Sequence, residues 1–176
     1  ELGYEQATVR DIIRRTGLSV GAFYNYYRSK EEVVAALADD GARRFRPILH
    51  AEYLKATDFE SYLRGAAQAY FEFIAAEEAA WGPESAPEAA DPQSYARKTP
   101  EIQAVHEEVR MAFAAAMERG LAPRIDLDYL ATACIAIVRE VGDQMLQRRP
   151  PDIGAATEFC VRLILGGVGA APRVSP

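Results

Sequence analysis

Histidine and cysteine are scarce in this chain of 176 residues, and that scarcity excludes most catalytic chemistry. His50 and His106 are the only histidines. Neither belongs to an HExxH or Glu-x-x-His pairing, and no serine stands on a nucleophile elbow. A phosphate-binding glycine loop is missing too, so no enzyme activity, metal site or cofactor is expected. Each histidine reads as a surface or helix-capping group. The two cysteines, Cys134 and Cys160, sit inside apolar helical patterns rather than at paired loop spacings, which reads as buried, reduced thiols in the cytoplasm. Apolar runs are broken by charges short of the roughly 18 residues a membrane span needs, and the N-terminus has no signal-peptide pattern. Strand-like alternation is absent throughout, so the expected fold class is all-α.

What the chain does have is a punctuated stretch from Thr8 to Lys30, TVRDIIRRTGLSVGAFYNYYRSK. Thr8 can cap a first helix with Val9, Ile12 and Ile13 on its apolar face, and Gly17 can end it in a left-handed conformation. Leu18 then plugs the turn, and Ser19 caps a second helix from Val20 to about Tyr27. A helical wheel groups Val20, Phe23, Tyr26 and Tyr27 inward and leaves Gly21, Ala22, Tyr24 and Asn25 outside. Ser29 caps a third helix with Glu31 and Glu32 in its first turn, where the dipole favours anions. Two short helices around a glycine turn, the second with a small-residue outer face, are the sequence form of a helix-turn-helix.

Gly3-Tyr4, Thr8 to Ile12, Gly17 to Tyr27 and Ser29 to Glu32 stand in the register of the TetR family of bacterial transcriptional regulators, which this stretch resembles. The resemblance is strong over residues 3–46 and only architectural beyond. It implies a further helix ahead of Gly3-Tyr4, so the head as given lacks the first of its three helices. It also implies a dimer that binds double-stranded operator DNA. Tyr24 and Lys30 suit phosphate oxygens, and Thr8 matches a family phosphate contact at a helix N-terminus. Val20, Gly21 and Ala22 would meet thymine methyls and groove shape, and Asn25 an adenine edge or a phosphate. Tyr26 lies on the edge of the wheel, open to core packing or to phosphate contact.

The overall charge of −6 argues against nucleic acid only until it is mapped. Residues 1–46 carry eight basic and seven acidic groups, whereas residues 47–176 carry twelve and nineteen. An acidic body repels DNA indiscriminately while a near-neutral head can still place cations on phosphates. The expected organisation is a DNA-binding domain over 1–46, a helical effector-binding and dimerisation domain over 47–170, and a flexible tail over 171–176.

Within the body, Pro47 is expected to end or kink the third helix, and helices are expected over about 59–78, 101–119, 126–148 and from Asp152 to about Gly167. Residues 79–100 read as broken by prolines, with one short helix near 92–97, and Gly166 onward as a frayed tail. Tyr53, Tyr62, Ala66, Tyr70, Phe73, Trp81, Val109, Phe113 and Met117 are the candidate lining of an effector pocket, with plain core as the competing reading for each. Leu130, Cys134, Val138, Val141, Phe159, Leu163 and Ile164 make two helices apolar on more than one face, so they are the candidate homodimer interface. The whole reads as a dimeric repressor that binds a palindromic operator and is released by a small, mostly apolar effector. The alternative is a helical ligand-binding protein whose head does not bind DNA.

Overall fold

The computed structural model describes residues 6–81 and 99–173, with the side chain of Trp81 outside the description. Gly3-Tyr4 and the expected short helix near 92–97 also lie outside the described residues. Among those described, seven helices and no strand occur: α1 Val9–Thr16, α2 Val20–Tyr26, α3 Lys30–Lys55, α4 Phe59–Trp81, α5 Pro100–Glu118, α6 Leu127–Leu146 and α7 Ile153–Ala170. The chain divides into two compact units, residues 1–43 with 78–103 and residues 44–77 with 104–176.

The first unit is built on local hydrogen bonds. Thr8 and Asp11 form a reciprocal capping box at α1: the Asp11 N–H donates to Thr8 Oγ1 at 3.3 Å, and the Thr8 N–H donates to Asp11 Oδ2 at 3.0 Å. The Thr8 hydroxyl and then the Thr8 N–H, both donating to the Asp11 carboxylate, hold that carboxyl below its ordinary pKa. Gly17 ends α1 at φ 69°, a conformation that costs any residue with a Cβ. Ser19 accepts the Ala22 N–H at 3.1 Å to start α2, and Ser29 accepts the Glu32 N–H at 3.2 Å to start α3. Asp39 on α3 accepts the Glu101 N–H at 3.0 Å, satisfying one orphan donor in the first turn of α5.

Aspartate caps recur in the second unit. Asp58 accepts the Ser61 N–H at 2.7 Å before α4, Asp126 the Tyr129 N–H at 2.9 Å before α6, and Asp152 the Ala155 N–H at 2.9 Å before α7. Gly120, at φ 71°, follows α5. The main core gathers Phe45 and Leu49 of α3, Phe59, Tyr62 and Leu63 of α4, Phe113 of α5, Leu130 and Cys134 of α6, and Val161 and Ile164 of α7. A smaller cluster of Ala67, Phe71, Met145, Ala156 and Cys160 continues it. Gly142 lets α6 lie close to α4, since a Cβ there would stand 2.8 Å from Ile74 Cδ1 and 3.2 Å from the Phe71 and Tyr70 rings. Both cysteines are free and buried, and burial pushes their pKa values up to about 12 for Cys134 and about 11 for Cys160.

Three expectations need correction. Of the two outcomes expected at Pro47, an end to α3 is the one overturned, since the 26-residue helix runs through it. An interior proline costs about 3 kcal/mol, and long-range contacts on both sides of it offset that cost. Phe45 and Leu49 are buried, Arg44 forms a bidentate pair with Glu77 at 2.6 and 2.7 Å, and Arg46 and His50 both reach Glu108. Gly166 does not begin a frayed tail, because α7 continues to Ala170 with Val168 buried. Finally, α7 is long and apolar enough, by length and composition, to cross a membrane, with only 33% of that window buried. It holds Glu158 and Arg162, and Glu158 takes the Arg64 guanidinium of α4 at 2.7 Å. An ion pair to a neighbouring helix of the same chain fits a packed helix better than a lipid-exposed one.

Candidate functional site

In the first unit α2 turns one residue inward. Phe23 is 1% exposed, with Tyr24 packed edge-on against it at 5.5 Å and Tyr27 tilted at 5.9 Å. The other α2 candidates present surface: Val20, Gly21, Tyr24, Asn25 and Tyr26 are exposed and Ala22 is half-buried. Among the described residues, no atom beyond its own stretch of helix stands within 4 Å of the position a Gly21 Cβ would take, so that face is open there. Two wheel assignments fail here. Val20 is exposed, and Tyr26, at 78% exposure, has no part in the core. The helix is only seven residues long, so its end residues project past the narrow contact that Phe23 makes. Leu18 is likewise exposed rather than plugging the turn. Thr8 is exposed and engaged in its capping box, and Lys30 opens α3 half-buried.

The second unit contains a cavity of about 230 Å³ among the end of α3, the start of α4 and the end of α5. Of the expected pocket residues it is lined by Tyr53 and Tyr62 alone. Phe113 is 1% exposed in the core, with Phe59 edge-on at 5.2 Å. Tyr70 and Phe73 stack on Phe45 at 5.5 and 5.4 Å, while Ala66, Val109 and Met117 pack against the same core. All six pack in or against the main core. Burial raises the Tyr70 pKa far above the ordinary phenol range. Sequence reasoning missed Leu54, Phe59, Ala115, Ala116, Arg119 and Leu121, which also line the cavity. The available signal was the run of small residues Ala112, Ala115 and Ala116 at helical spacing, which leaves room where larger side chains would fill it.

Tyr62 borders that cavity, and its phenol oxygen is buried away from it. That oxygen has no hydrogen-bond partner among the described residues, and desolvation together with the nearby Glu108 carboxylate keeps it protonated. Tyr53 lies edge-on to it at 6.0 Å. A second cavity of about 600 Å³ shares Asp58, Phe59 and Leu121 with the first and is bordered by Arg64 and Val168. Among the described residues no cluster of His, Cys, Asp and Glu could hold a metal.

On α6 and α7 the candidate interface residues separate by exposure. Leu130, Cys134 and Ile164 are buried inside the chain's own core, so they have almost no surface left for a second copy. Val138 and Val141 are half-buried. Phe159 and Leu163 are 58% and 49% exposed, so α7 shows large apolar side chains outward.

Two capped helices around a left-handed glycine, the second with an open outer face, make a helix-turn-helix, and an all-helical unit with its own core accompanies it. Residues 1–37 match the family described as bacterial regulatory proteins, tetR family. No curated protein matches the chain. Solved structures share its fold. The fatty acid degradation regulator FadR from Bacillus halodurans aligns at TM-score 0.73 and 22% identity, over 95% of this chain and 88% of that one. FadR from Bacillus subtilis in complex with stearoyl-CoA aligns at 0.72 and 14%, over 94% and 91%. PfmR from Thermus thermophilus, a TetR family regulator, aligns at 0.57 and 19%, over 93% and 87%.

Proposed function

We propose that this regulator is a cytoplasmic homodimeric repressor that binds a palindromic operator through α2 and is released by a small, mostly apolar effector held in the body. The observation that carries the reading is the open face of α2, with Phe23 alone anchoring it and Val20, Gly21, Tyr24, Asn25 and Tyr26 outward. Tyr24, Tyr26, Lys30 and Thr8 take phosphates, and the first-turn residues with Asn25 shape base preference. The outward apolar face of α7, with Phe159 and Leu163, supports pairing with a second copy about a two-fold axis. A FadR of the same fold holds stearoyl-CoA, a ligand with a long apolar chain, which favours an apolar effector here.

Two heads must sit about 34–36 Å apart, or a multiple of that, to enter successive major grooves. An effector acts only through differential affinity, so a hundredfold loss of operator binding requires about 2.7 kcal/mol of preference for the DNA-free conformation. Selection of bound sequences from a random duplex pool, with the full-length protein, tests the reading. The expected result is a two-fold symmetric site. Lys30→Ala should then weaken all duplexes about equally and lower the salt slope by about 1. Failure to retain any sequence would favour a helical ligand-binding protein whose head does not bind DNA.

A further inference from the structure

We propose that Glu108 is a staple across Pro47: one carboxylate on α5 holds α3 on both sides of the proline and opposes the bend that the proline would otherwise allow. Its consequence for operator binding rests on the DNA reading above.

The contacts come first. Arg46 and His50 stand one turn apart on α3, before and after Pro47, and both bond the same side chain. Arg46 Nε donates to Glu108 Oε2 at 3.3 Å, and His50 Nδ1 shares a hydrogen bond with Glu108 Oε1 at 2.9 Å. Each oxygen of the carboxylate therefore takes one side of the proline. The Glu108 side chain is only 18% exposed, so salt screens these bonds less than it would a pair fully in water. The His50 ring is steadied further by Tyr53, tilted against it at 6.3 Å.

Where the staple lies decides what it does. At about 100° per residue, Arg46 and His50 are about 40° apart around the helix, and Arg43 is about 20° beyond His50. Arg43 is the residue whose carbonyl Pro47 leaves without an amide. The staple thus covers the flank where the backbone rung is missing, the flank that opens when a helix kinks away from a proline ring. Arg44, paired with Glu77 of α4, stands about 160° round from Arg46 and leaves that flank uncovered. Because α3 gives Lys30 to Arg43 to the first unit and Arg44 to Lys55 to the second, loosening Glu108 frees a bend in a helix that belongs to both.

Hydrogen exchange of the full chain, read on the amides of Ile48 to Ala51, is the test. Glu108→Gln keeps the shape of the side chain and removes its charge, and it should speed those amides about threefold or more while amides elsewhere in the second unit keep the parent's rates. His50→Phe keeps a ring against Tyr53 and removes one leg of the staple, so it should speed the same amides by a smaller factor. Pro47→Ala supplies the missing rung, and in the Glu108→Gln background it should bring the rates back to the parent's or below. Unchanged exchange in Glu108→Gln, acceleration spread over the whole unit, or acceleration that Pro47→Ala does not rescue would each overturn the inference. Operator binding is scored apart. Glu108→Gln should weaken a retained two-fold symmetric duplex several-fold, and Pro47→Ala in that background should restore it; a duplex held equally by parent and Glu108→Gln would overturn that consequence. Local exchange that follows Glu108 in a chain that retains no duplex would keep the staple and sink the DNA reading, and a retained duplex with exchange that ignores Glu108 would do the reverse.

Discussion

The two units hold themselves together by different means. Among its described residues the first buries only Phe23 and Ala42, and its helices start and stop on side-chain caps and a left-handed glycine. The second has the same kind of caps and, in addition, two merged clusters of buried side chains drawn from α3 to α7. Local hydrogen bonds fix where helices begin but contribute about 1 kcal/mol each, whereas a buried aromatic contributes several. The head is therefore an adaptable surface with well-defined ends, and the body a stiff frame.

That contrast can be broken experimentally, beginning where the effect is greatest. Phe113→Ala removes a ring that is 1% exposed and touches Phe59 and Tyr62, and it should cost about 3–5 kcal/mol. In urea titrations followed separately by body and head probes, the body transition should move and the head's should not; a joint shift would show one shared core. Leu163→Asp should weaken the dimer at least about thirtyfold, as for a hot spot of ~2 kcal/mol, with monomers seen in sedimentation. An unchanged dimer would place the interface elsewhere. Gly17→Ala should destabilise the head by about 1–2 kcal/mol, because φ 69° crowds a Cβ, and leave the body midpoint where it was. The smallest effect is that of acid. Asp11 in the head and Asp58 in the body both have pKa values below the ordinary 3.8, so each contributes stability above that value that is lost as pH falls through its lowered pKa. Below pH 3.8 the head should lose helix signal before the body. Asp11→Asn should flatten the head's response, and a variant with the parent's pH profile would remove Asp11 from the account.

How much of this can be read from sequence follows from the same contrast. Thr8, Ser19, Asp58, Asp126 and Asp152 announce their helices because a cap needs only neighbours in sequence, and all five cap where expected. Gly17 and Gly120 are legible for the same reason. Pro47 misleads because its tolerance depends on Glu77 and Glu108, far away along the chain. A helical wheel misplaces Tyr26 and Val20 because it gives direction without saying whether anything stands there. The cavity escapes because the apolar stripes of α4 and α5 serve the core and the pocket wall together. Along such stripes Phe113's partners and the pocket wall look alike until the small face of Ala112, Ala115 and Ala116 is set against them.

Pro47 has one more consequence, for the mechanics of α3. The Arg43 carbonyl, four residues earlier, has no amide to receive it, and the pyrrolidine ring fills that side of the helix. A rod of 26 residues, about 39 Å long, is thus notched about two thirds of the way along. Bending away from the ring breaks no backbone bond, while bending toward it compresses the ring, so the helix is compliant in one direction and rigid in the other. Such a beam converts a diffuse push into displacement along a single line. Pro47→Ala would restore the missing rung and make α3 equally stiff all round.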